Sequence, residues 1–185
     1  MSYKLIAKQG SIFDEPHATF FVNPSNTRLL LGSGVSGAFA KECGKELQEE
    51  MNSALLNIEG GIKQGDVVAT GPGKSKKFDI ALHAAIMNYN PGTRQLDKYP
   101  TLQTISDALK NIEQYLQWYA KYKSKTMKLV LPMMGCGVGG LSIEDVAKVY
   151  IDFFSKEADY ECEVIVYNLD EKNHKIVNTT LSGYL

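Results

Sequence analysis

Two glycine-rich stretches constrain this chain more than any other feature: Gly32-Ser33-Gly34-Val35-Ser36-Gly37 and Gly135-Cys136-Gly137-Val138-Gly139-Gly140. Each lies between an apolar, strand-like run (18–22 and 127–133) and a helix-like period. Glycines at such junctions let the backbone approach a ligand closely, and the unpaired N–H groups of a helix start attract an anion, helped by the helix dipole. One such loop cradles one phosphate. Two of them at the carboxyl ends of neighbouring strands would grip a diphosphate, in the crevice where open α/β sheets bind ligands.

The rest of the pattern fits a layered α/β domain with a mixed, mostly parallel sheet. Strands are predicted at 3–8, 18–22, 66–70, 78–84, 127–133 and 162–168, and helices at 35–43, 45–58, 101–122, 143–156 and 172–181. The third helix is the clearest, because Leu102, Ile105, Leu109, Ile112, Leu116 and Tyr119 recur at spacings of three and four. Pro100 marks its start, and Ser142 is the expected N-cap of the fourth. The uninterrupted runs Phe20-Phe21-Val22 and Leu129-Val130-Leu131 suit central strands covered on both faces. Aromatic residues on the helical stripes, Trp118 included, are assigned to the core. With no repeat and no linker, the 185 residues are expected to form a single domain, 1–185.

Several functions are disfavoured. With 20 Lys+Arg against 21 Asp+Glu there is no excess of positive charge for a nucleic-acid backbone. No apolar run approaches the roughly 20 residues of a membrane helix, and without a secretory h-region the expected location is cytoplasmic. Cys43, Cys136 and Cys162 are far apart and form no C-x-x-C, so reduced thiols, no metal and no cofactor are expected. Neither glycine stretch ends in Gly-Lys-Ser/Thr, which argues against NTP hydrolysis. Gly32–Gly37 has dinucleotide-fingerprint spacing but follows a second strand, with no acidic residue at a strand end about 20 residues on, so a dinucleotide-dependent oxidoreductase is the outsider.

Among side chains, Asn26 is the main candidate. Its amide could hold a sugar hydroxyl, or Asn23 and Asn26 could simply close turns through their own backbone; the residues alone leave both readings open. Cys136 lacks the Arg that a phosphatase nucleophile would need, so it reads as a small residue fitting a tight loop. His83 is expected to satisfy a core hydrogen bond, with His17 and His174 on the surface.

Six segments in this order resemble the macro domain family: Lys8-Gln9-Gly10-Ser11-Ile12-Phe13, Val22-Asn23-Pro24-Ser25-Asn26, Gly32-Ser33-Gly34-Val35, Gly65-Asp66-Val67-Val68-Ala69-Thr70-Gly71, Leu82-His83-Ala84, and Leu131-Pro132-Met133-Met134-Gly135-Cys136-Gly137-Val138-Gly139-Gly140-Leu141. The resemblance implies a three-layer α/β/α domain that binds ADP-ribose, or an ADP-ribosylated protein or metabolite. It leaves open whether the chain also hydrolyses such a linkage, or a 1″-phosphate, or is a non-catalytic reader. By the same resemblance Asn26 contacts the distal ribose and is the catalytic candidate. Gly32, Ser33, Gly34 and Val35 flank that ribose and the diphosphate. Gly135, Cys136, Gly137, Val138 and Gly139, with the start of the following helix, hold the diphosphate; Ser11, Ile12 and Asn23 complete the expected ligand contacts.

Three positions depart from the family pattern. Ser11 replaces an Asp that accepts from the adenine amino group, leaving that role to Asp14 or to backbone. Ser36 replaces an Asp frequent in the hydrolase branch. Gly139 stands where many members carry an aromatic residue, and where the branch of terminal ADP-ribose-glutamate hydrolases carries a catalytic Asp; that branch's Lys has no assigned counterpart.

Overall fold

The computed structural model describes residues 2–183. Six strands form one sheet: β1 (Tyr3–Gln9), β2 (Ala18–Asn26), β3 (Val67–Thr70), β4 (Phe78–Met87), β5 (Thr126–Pro132) and β6 (Glu161–Asn168), in the order β1-β6-β5-β2-β4-β3. All neighbours pair parallel except β3, which runs antiparallel to β4 at the edge. Five α-helices cover it: α1 (Gly34–Cys43), α2 (Lys45–Leu56), α3 (Leu102–Tyr122), α4 (Ile143–Phe154) and α5 (Glu171–Ser182). The result is the expected three-layer α/β/α architecture with a mixed, mostly parallel sheet.

Strand alternation explains the layers. Phe20 and Val22 point to one face, where Leu129, Leu131 and Val164 pack beneath Ile105, Leu109, Ile112 and Leu116 of α3 and Val146 and Tyr150 of α4. Phe21 points to the other, with Val130 and Ile165 beneath Phe39 of α1 and Leu47 and Met51 of α2. Both faces being buried, the two central runs had to be apolar throughout. α3 begins two residues after Pro100, behind the N-cap Thr101, at a capping box in which the Thr101 side chain accepts from the Thr104 amide and Thr104 reciprocates. Ser142 caps α4 as expected, accepting from the Asp145 amide at 3.3 Å.

Three expectations need correction. β2 does not stop at residue 22 but continues through Asn23-Pro24-Ser25-Asn26, because it keeps β4 as a partner over that whole length. Pro24, which has no amide to give to a ladder, fits there because β2 pairs with β5 only at Phe20 and Phe21 and then has a single partner strand. Trp118 is 43% exposed rather than core: it lies outside the α3 stripe and borders a groove along β3. His174 is half-buried rather than on the surface, and its Nδ1 has no partner.

Candidate functional site

The parting of β2 from β5 creates the site. Beyond Phe20–Leu129 and Phe21–Val130 the two strands share no pairing, and a cleft of about 470 Å³ opens between their carboxyl ends. This is where chain order reverses across the sheet, with β4 on one side of β2 and β5 on the other, the position at which α/β sheets form ligand crevices. Asn26, Gly32, Ser33, Gly34 and Val35 line one wall. Gly135, Gly137, Val138 and Gly139 line the other, and Ile86, Met87 and Tyr89 close the β4 side.

The first wall presents donors. Ser33 is the N-cap residue of α1 but makes no side-chain cap bond, so the first-turn amides keep no capping acceptor. The Gly32 amide is held by Ser36 Oγ at 3.4 Å. Behind it, Asn26 turns its amide to its own loop: Oδ1 accepts from the Arg28 and Leu30 amides (3.1 and 3.2 Å), and Nδ2 donates one of its two N–H groups to the Leu30 carbonyl (2.9 Å). Turn closure is therefore what the structure assigns to Asn26. These bonds hold Leu29 at a φ of 50°, a left-handed conformation that costs a branched side chain energy. Gln48 of α2 adds a clamp, accepting from the Leu31 amide and donating to the Leu29 carbonyl, both at 2.8 Å.

The second wall is held by packing. A Cβ at Gly139 would stand 2.6 Å from the Gly135 carbonyl and 2.9 Å from Pro100 Cγ, so no side chain fits there without displacing the loop. The buried Tyr150 hydroxyl clamps the loop's entrance, donating to the Pro132 carbonyl (2.7 Å) and accepting from the Met134 amide (2.9 Å). The start of α4, capped by Ser142, is not part of the lining.

Four predicted residues lie outside the cleft lining. Asn23 is buried below it, where Nδ2 donates to His83 Nδ1 at 2.9 Å. The imidazole proton then sits on Nε2 and is donated to Thr70 Oγ1 (2.8 Å), whose hydroxyl goes to the Gly71 carbonyl. Burial pushes His83 down to about 3, so this chain of bonds is neutral. Ser11 caps a short 3-10 turn, Ile12–Asp14, and Ile12 is buried in the core. That turn is fastened by Glu15, which accepts from Tyr167 (2.6 Å), Lys8 (3.0 Å) and Lys128 (3.1 Å). Burial acts to raise the Glu15 pKa, but these three donors outweigh it and leave the carboxyl below its ordinary value. Cys136 has its thiol pushed up to about 12 by burial, which keeps it protonated and unsuited to nucleophilic attack.

The lining contains no Asp, Glu, Lys, Arg or His; Tyr89 carries its one ionisable side chain. Sequence reading missed Pro24, Ser25, Leu30, Leu31, Ser36, Ile86, Met87, Tyr89, Pro132 and Met133, because the cleft takes in the ends of β2, β4 and β5 as well as the loops. A larger cavity of about 870 Å³ follows edge strand β3. Backbone groups along it are already occupied: the Gly65 carbonyl by Asn111, the Val67 carbonyl by Tyr115 and the Gly71 amide by Glu50.

The Macro domain family model matches residues 22–150. The chain belongs to the macro domain family. Its relatives include the protein mono-ADP-ribosyltransferase PARP9 of Mus musculus, 28% identical over 117 residues, which are 63% of this chain and 12% of that protein. A relative in Aeropyrum pernix is 29% identical over 69% of this chain and 58% of its own length, so these two proteins extend well beyond the shared region. The O-acetyl-ADP-ribose deacetylase 1 of Pantoea vagans is 33% identical over 51% of this chain and 53% of its own. Among solved structures, the Oceanobacillus iheyensis macrodomain with ADP superposes with a TM-score of 0.75 at 20% identity, covering 96% of this chain and 90% of that one. The Trypanosoma brucei macrodomain in complex with ADP-ribose gives 0.69 at 18% identity, covering 96% and 68%. At these identities the two structures establish the shared fold. Among the described residues, no helix of this macro domain is long and apolar enough to cross a membrane.

Proposed function

We propose that this macro domain is a reader: it binds ADP-ribose, or an ADP-ribosyl group carried by a protein or metabolite, and releases it unchanged. The observation that carries the reading is a cleft walled by two glycine loops, with uncapped α1 amides on one wall and no carboxylate, imidazole or cation in its lining. A diphosphate dianion suits such a site, since oriented backbone N–H groups bind anions without a charged side chain. The deposition of charge on an attacking water or a leaving group needs a proton acceptor or donor, and the lining supplies neither an Asp nor a Lys. In this reading the adenine lies toward the Ile12–Asp14 turn. Asp14, whose carboxylate accepts from the Ser11 amide at 2.9 Å, is the acid available there to accept from the adenine amino group.

Isothermal titration with ADP-ribose tests the binding, and no heat at high micromolar protein defeats it. The similarity to a deacetylase of O-acetyl-ADP-ribose over half the chain favours a second reading, ester hydrolysis with Asn26 as the orienting group. Release of ADP-ribose from mono-ADP-ribosylated Glu/Asp, Ser or Arg substrates, lost on Asn26→Ala, would replace the reader with that enzyme.

A further inference from the structure

Ser25 lies near the end of β2, opposite Ala85 of β4, and borders the cleft. It is only 4% exposed, and its Oγ has no hydrogen-bond partner within the protein. A buried hydroxyl left unpaired carries the full cost of its lost hydration, whereas an alanine of nearly the same size would cost nothing in hydrogen bonding. The two asparagines flanking it on β2 are differently placed: Asn23 is bonded to His83 below the cleft and Asn26 to the loop beside it. Ser25 is thus the polar side chain of this strand end that borders the cleft with its bonding capacity intact. Alternation along β2 fixes its direction. Phe21 packs on the α1 face with Phe39, and residues 23 and 25 follow it on that face, so Ser25 points toward the uncapped start of α1 rather than toward α3.

We propose that Ser25 is a further ligand-binding residue, whose hydroxyl donates to an oxygen of the bound diphosphate from the cleft floor, alongside the α1 amides. The proposal rests on the reader assignment and adds a contact to it. A hydroxyl there finds its partner only when the ligand is present, so the protein carries the unpaired group as a cost of folding and recovers it on binding.

The test is Ser25→Ala, measured by thermal unfolding without ligand and by titration with ADP-ribose and with ADP. The expected result is a melting temperature equal to or above that of the wild type, with affinity weaker by about ten- to a hundredfold for both ligands, the loss expected on removing a hydrogen bond to a charged group. A lower melting temperature would show the hydroxyl to be satisfied inside the protein and overturn the proposal. Weakening for ADP-ribose alone would move the contact to the distal ribose and overturn the diphosphate assignment. Unchanged affinity for both ligands, with a wild type that binds, would overturn the role of Ser25 alone. A wild type that binds neither ligand would remove the reader assignment and this contact together.

Discussion

The two glycine loops read alike in the sequence but are built on different principles. In the first, the chain after Asn26 is held by side-chain amides: three bonds from Asn26 itself and two from Gln48 keep Leu29 in a left-handed turn. Its Gly32 and Gly34 have no atom within 4 Å of where a Cβ would stand, so space there is open to a ligand. In the second, Gly135 and Gly139 are required by the protein itself, since a Cβ at Gly139 would run into the Gly135 carbonyl and Pro100, and one at Gly135, already at a φ of 79°, would press on Leu141. The division is not complete, since Gly37 of the first loop would place a Cβ 2.8 Å from the Gly32 carbonyl and Gly137 of the second has open space, but the residues that border the cleft are freer in the first loop than Gly135 and Gly139 are in the second. The clamps show the same division. Gln48 and Tyr150 each bridge a carbonyl and the amide two residues on, but Gln48 is half-buried and Tyr150 is buried.

That contrast can be broken by experiment. Gly139→Asp, which installs the acid expected of the hydrolase branch, should displace the second loop, lower the melting temperature and weaken ADP-ribose binding at least a hundredfold; a stable variant with wild-type affinity would refute the packing account. Tyr150→Phe should cost about 2–3 kcal/mol in denaturant unfolding, because it leaves the Pro132 carbonyl and the Met134 amide without their shared partner in a dry interior. Gln48→Ala should cost only about 1 kcal/mol, since water can replace a half-buried amide, yet should weaken binding through the loosened first loop. Equal stability losses for the two clamps would erase the distinction.

The ground beneath the first loop adds a pH dependence. The folded protein keeps His83 neutral down to about pH 3, while an unfolded chain protonates it near its ordinary value of 6.5. Protons therefore favour unfolding between those values, and stability should fall with decreasing pH by up to about 1.4 kcal/mol per unit, with no such loss above pH 7. Melting temperature against pH measures this, and an NMR signal of His83 that titrates between pH 5 and 7 would contradict it.

Most of the fold was legible because its signals are local. Continuous apolar runs marked β2 and β5, the three-and-four spacing marked α3, and Ser142 marked the start of α4. The misplacements share a cause. Asn23-Pro24-Ser25-Asn26 has turn composition, yet pairing with β4 keeps it extended, and Trp118 is apolar, yet one step along α3 carries it off the buried stripe. For the candidate site, both glycine loops were readable, whereas Ile86, Met87 and Tyr89 were not, since the end of an apolar strand shows nothing in sequence of what it will face.

By itself, then, the sequence determined the order of strands and helices and the glycines that end two of those strands, because periodicity and backbone freedom are properties of neighbouring residues. Only the tertiary structure decided that β2 leaves β5 after two pairs, that the cleft so opened is lined without charge, and that Asn26 closes its own loop while Ser25 keeps a free hydroxyl. Those outcomes depend on which groups meet across the sheet, and a buried polar group is satisfied or left unpaired by residues far away in the chain.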